Sequence, residues 1–214
     1  MSIVFDSVAN LAKVTQELEH LPQSARDLLG SRVGVQLGAF SWNKHAEWAG
    51  PGQWTCCWTS MGADVSSDQS KGLKPLGRII LCTDLYRQST PGLPRRKLEH
   101  AESSLLTCCF IAGTGVQEEV TYFVRFLKFD AYGWPIESDS YDRHLGGRLL
   151  AYKTAQLTEH PWIKRSWIFA VPLEAIRDQQ AFRNEISDPF WAILHGDLTN
   201  AFPPTSLACV FPPS

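Results

Sequence analysis

The chain has 214 residues, 44% of them hydrophobic and 20% charged, with a formal net charge of −2. That composition is of a folded globule and excludes a disordered chain; near-neutral charge excludes the basic stripe that nucleic acid or an anionic membrane surface requires. No stretch reaches the roughly 18 apolar residues of a membrane span. The first residues, MSIVFDSVANLAKVTQ, lack the basic start and unbroken apolar run of a signal peptide, because Asp6 and Asn10 interrupt them. The expectation is a soluble cytoplasmic protein of one globular domain over residues 1–214, without a nucleic-acid or membrane partner.

Residues 7–21 read as a helix. Val4, Val8, Leu11, Leu18 and Leu21 recur near the helical period, Asp6 or Ser7 stands at the N-cap, and Pro22 closes it. Ser24 and Asp27 have the spacing of a capping box with Asp in place of Glu, and Gly30 ends that short helix. From Val33 the period changes, and Val33–Ser41 alternates as a strand does. Gly50-Pro51-Gly52 forces a turn, Gln53–Ser60 reads as the next strand, and the Gly-, Ser- and Asp-rich residues 61–75 read as a loop. Four of the eight tryptophans, Trp42, Trp48, Trp54 and Trp58, crowd this region. Trp54, Cys56 and Trp58 alternate with Thr55, Cys57 and Thr59, so a strand would set two indoles around a thiol on one face. Such a face suits either a core or a binding surface.

Further strands are expected at Arg78–Tyr86, Ser104–Ala112, Glu119–Phe129, Arg148–Leu157 and Ile163–Val171, all rich in β-branched, aromatic and apolar residues. Gly113-Thr114-Gly115 is short enough to make a hairpin of 104–112 and 119–129. Pro172 fits the first position of a helix that Leu173, Ile176, Phe182 and Ile186 continue. Asp188-Pro189 restarts a short helix with Asp188 as N-cap and Gly196 past its end. The tail from Asp197 reads as extended, packed by Phe202, Leu207 and Phe211. The fold class is therefore α+β: a mainly antiparallel sheet of about six or seven strands, packed by an N-terminal helix and C-terminal helices.

Two long connections remain, Gln88–Ser103 with its basic tip Arg95-Arg96-Lys97, and Asp130–Gly147. The second carries Tyr132, Trp134 and Tyr141 beside Asp130, Glu137, Asp139 and Asp142. Connections of that length in a compact domain are usually functional, and interface hot spots favour Trp and Tyr. Arg125 shares a strand face with Phe123, Leu127 and Phe129, and Arg165 shares one with Ile163, Trp167, Phe169 and Val171. A charge on an apolar face must be paired, reach water or line a cavity, and a cavity lined by both would suit a carboxylate or phosphate. Trp134, Asp139, Tyr132, Tyr141, Arg125 and Arg165 are thus the candidate binding residues.

The chemical motifs are sparse. Six cysteines, Cys56, Cys57, Cys82, Cys108, Cys109 and Cys209, include two vicinal pairs and no C-x-x-C, and they read as reduced, buried thiols. Gln53 followed by Cys57-Trp58 resembles papain-like and transglutaminase-like sites. The small residues around the nucleophile are missing, however, and Thr59–Asp68 does not read as the helix that lowers the thiol pKa. No histidine pair has metal-ligand spacing, and Glu137, Asp139 and Asp142 lack the glycine and closing glutamate of a calcium loop. No phosphate-binding glycine motif exists. Neither a metal nor a cofactor is expected. The reading is a non-enzymatic cytoplasmic binding protein with a protein partner, an inhibitor or immunity-type partner being one form. The alternatives are a cysteine-dependent hydrolase or transferase using Cys57 with His144 or another histidine, and a small-molecule carrier. Oligomeric state is not legible.

Overall fold

A computed structural model describes residues 23–30, 34–42, 58–69, 72–84, 103–113, 141–152 and 165–211. Among the described residues eight strands form one sheet: β1 (Val35–Leu37), β2 (Ser41–Trp42), β3 (Trp58–Gln69), β4 (Gly72–Asp84), β5 (Leu105–Ala112), β6 (Tyr141–His144), β7 (Leu149–Tyr152) and β8 (Trp167–Pro172). Their order is β1-β3-β4-β5-β8-β7-β6, with β2 also on β3. Every pairing is antiparallel. Helical segments are α1 (residues 23–29), α2 (Gln179–Phe182), a π turn (Arg183–Ser187), α3 (Asp188–Leu194) and α4 (Leu198–Ala201). The α+β reading with an antiparallel sheet holds.

Pleat alternation sorts the strands into two buried faces. On one face a row crosses the sheet through Ala63, Ile79, Phe110, Trp167 and Ala151. The helical layer packs on this face. Phe190 of α3 lies 5.7 Å from Trp167, and Phe202 meets Phe169 edge-on at 5.2 Å. On the other face the row is Ile80, Cys109, Ile168 and Leu150, and all four are buried too. Burial on both sides explains why β5, apart from Thr107, and β8 are apolar runs instead of alternating ones.

Several local expectations are corrected. Residues 61–75 are not a loop: they belong to β3 and β4, the longest strands described. Met61, Ala63 and Val65 are buried on one face; of the residues between them Asp64 is exposed and Gly62 is buried. The register slips between Val65 and Ser66, leaving Leu76 without a counterpart on β3. This bulge accommodates Pro75, which cannot donate to the ladder. The 104–112/119–129 hairpin fails along β5, whose two edges are taken by β4 and β8; residues 119–129 lie outside the described residues. Arg148–Leu157 is represented by β7, and a further strand, β6, occupies the end of the expected loop 130–147.

Helix boundaries shift in the same way. Pro172 closes β8 with φ −57° and ψ 133° and leads into a single 3-10 turn, Leu173–Ala175; the α-helix begins only at Gln179, where the N-cap Asp178 carboxylate accepts from the Ala181 N–H at 2.8 Å. Asp188 is no N-cap, because the π turn runs straight into α3 and Asp188 has helical φ −66° and ψ −43°. Ser24 is no N-cap either: Gln23 is already helical, and its amide donates to the Asp27 carboxylate at 2.8 Å. Gly30 and Gly196 do end their helices, at φ 66° and 80°. In the tail Phe202 and Phe211 are buried as expected, but Leu207 is 48% exposed. The helix 7–21, the turn at Gly50-Pro51-Gly52 and the face shared by Trp54 and Trp58 lie outside the described residues or side chains.

Candidate functional site at the β6 end of the sheet

The expected site residue Arg165 stands just before β8, two positions ahead of Trp167, at the end of the sheet where β7 lies between β8 and β6. On β6, Asp142 pairs with Ala151 and His144 with Leu149. Ala151 and Leu149 belong to the core on the helical side of the sheet, so directly opposed residues place Asp142 and His144 on that side as well. Arg165 Nη1 lies 3.5 Å from Asp142 Oδ2, with the arginine 17% and the aspartate 39% exposed. The pair explains how a guanidinium is tolerated near the aromatic layer: it has a counter-charge and an outlet to water.

His144 completes the group. Burial holds its imidazole below the ordinary value of 6.5; Asp142 pulls the other way, and Arg165 adds to the lowering. At neutral pH the ring is therefore an uncharged donor and acceptor. The turn after it is left-handed throughout, with φ 55° at Leu145, 69° at Gly146 and 89° at Gly147. Leu145 is the sole non-glycine residue with positive φ among those described, and it packs against the core. Such backbone persists where the surroundings over-determine it.

Of the expected site residues, the structure places Arg165 here and gives Tyr141 the first position of β6, opposite Tyr152. Trp134, Asp139, Tyr132 and Arg125 lie outside the described residues, as does Cys57. Asp142 was counted among the loop acids but not as the partner of Arg165. Local pattern gave no signal for it, because Asp142, Arg143 and His144 are three consecutive polar residues without the alternation of a strand. The arrangement offers a charged pair and a neutral imidazole at one end of a sheet, a set suited to hydrogen-bonded recognition of a polar surface.

The thiols lie elsewhere. Cys82, Cys108, Cys109 and Cys209 are free and buried. Burial pushes the Cys108 and Cys109 thiols well above their ordinary range, and a hydrogen bond with Cys82 adds to the effect at Cys109. They act as small apolar groups of the sheet and not as thiolates. Among the described residues no group of three or more His, Cys, Asp or Glu is placed to hold a metal ion, and no helix is long and apolar enough to cross a membrane. No protein-family model, curated protein or solved structure matches the chain.

Proposed function

We propose that the chain is a non-enzymatic binding protein of the cytoplasm that recognises a protein partner through the β6 end of its sheet, an inhibitor or immunity-type role being its concrete form. One observation supports this reading. Arg165 pairs with Asp142 on β6, the strand that follows Tyr132, Trp134 and Asp139 in sequence, and its charge is felt by His144 on the same strand. The test is affinity capture with the intact protein, followed by titration of the captured partner against Arg165→Ala and Asp142→Asn. At a buried interface charge each substitution weakens binding roughly tenfold or more. A partner bound equally well by both variants would remove this end of the sheet from the site.

The cysteine-enzyme alternative draws its support from the neutral His144 imidazole, the state a general base needs. It predicts one fast-reacting thiol in the native protein that slows in His144→Ala. The binding reading predicts none.

A further inference from the structure

We infer that the C-terminal segment 206–211 is a strap that sets the geometry of the Asp142–His144–Arg165 group, so that strap docking and partner binding are coupled. The inference concerns the residues of the proposed function, but its test reads His144 with no partner present, so either can fail alone.

β7 pairs with β8 through Leu150 and Ala151, opposite Ile168 and Trp167. Farther along β8 the tail takes over that flank. The Cys209 N–H donates to the Ala170 carbonyl at 2.7 Å, and the Phe211 N–H donates to the Gly147 carbonyl at 2.9 Å. Ala208, Cys209 and Phe211 are buried in doing so. Gly147 is the last residue of the left-handed turn that joins β6 to β7. A Cβ there would stand 3.2 Å from the Phe211 oxygen and 3.3 Å from Val210 Cγ1, so the strap lies directly against the turn. That turn decides which residues of β6 oppose Leu149 and Ala151. It therefore decides where Asp142 and His144 stand relative to Arg165.

The other end of the strap is latched to the helical layer. Glu185, in the π turn, accepts from the Ser206 hydroxyl and from the Leu207 N–H, each at 3.0 Å. One carboxylate thus anchors a segment whose far end grips the turn beside the site. A left-handed turn containing a leucine relaxes when its supports are removed. Lifting the strap consequently loosens the site, and by reciprocity a partner that tightens the site tightens the strap.

The experiment is an NMR titration of the His144 ring in the full chain, in Glu185→Ala and in Phe211→Pro, with amide exchange followed in parallel. Glu185→Ala removes the latch at the surface. Phe211→Pro removes the N–H that holds Gly147. In both variants the Cys209 amide loses protection while the amides of β4 and β5 keep theirs. The His144 pKa rises toward its ordinary value of 6.5 as the ring gains water. If Glu185→Ala frees the Cys209 amide and the His144 titration is unmoved, the strap does not set the site. If it leaves that amide protected, Glu185 is not the latch. Should Phe211→Pro fail to fold, Glu185→Ala decides alone. Each of these negative results overturns the inference.

Discussion

The indole N–H of Trp191 donates to the carbonyl oxygen of Leu29 at 2.8 Å, and the Ser187 hydroxyl reaches the same oxygen at 3.2 Å. Two donors from one helical run thereby hold the last residue of α1, although the two segments lie at opposite ends of the chain. All three residues are buried.

That shared acceptor makes the pair of donors non-additive. Trp191→Phe or Ser187→Ala alone leaves the Leu29 oxygen one donor, and each bond lost costs about 1 kcal/mol, with packing changes on top for the indole. The double variant leaves the carbonyl buried without either, so its loss in urea denaturation exceeds the sum of the single losses by about 1 kcal/mol. Simple additivity would mean that water or another donor reaches the carbonyl.

Gly77 and Gly146 separate steric from conformational cost. A Cβ on Gly77 would stand 2.1 Å from the Ile111 carbonyl oxygen, a backbone atom that cannot swing away. Gly77→Ala is expected to destabilise by about 3 kcal/mol or more. Gly146 has φ 69° and nothing within 4 Å of its Cβ position, so Gly146→Ala costs only about 1 kcal/mol, the left-handed penalty. Equal melting temperatures for the two variants would refute the close approach of β4 and β5 at this point.

His144 gives the protein an acid-side stability slope. Its folded pKa is depressed by burial, so the unfolded chain takes up the proton first as pH falls through 6.5. Stability from this residue is complete above 6.5 and declines on acidification until the folded ring also protonates. In His144→Gln that part of the slope disappears. A wild-type profile of denaturation midpoint that is flat from neutral pH down through this window would contradict the burial of the ring.

The described thiols are expected to be silent in the native state. With Cys82, Cys108, Cys109 and Cys209 buried and free, brief alkylation at neutral pH should leave all four unmodified. Denaturation without reductant should then expose all four to label. Rapid native labelling of any one would mean that its segment opens locally.

The antiparallel sheet was legible because Ser104–Ala112 and the stretch ending at Val171 carry apolar and β-branched residues too short for helices and too long for turns. The β3–β4 pair was not. Gly62, Asp64 and Ser66 look like turn residues, and the apolar positions between them are small. Arg78 supplies the missing rationale. Its guanidinium donates to Asp64 at 3.0 Å and covers Gly62, where a Cβ would meet Nε at 2.8 Å. A glycine in a strand there makes room for a side chain from the neighbouring strand, which single-sequence periodicity cannot display. In the candidate site the charge on Arg165 was legible and its partner was not, because pairing across β6, β7 and β8 is set by a register that local pattern does not encode.

The placement of β5 has a consequence for biogenesis. β5 is flanked by β4, made just before it, and by β8, made dozens of residues later. During synthesis Leu105–Ala112 therefore emerges with one edge satisfied and the other waiting. The run is apolar, uncharged and free of proline and glycine, the composition from which intermolecular strand pairing starts. The nascent chain depends on translation reaching the Trp167–Pro172 segment promptly, or on a chaperone occupying that edge until it does. Chains stalled between the two strands would enter aggregates.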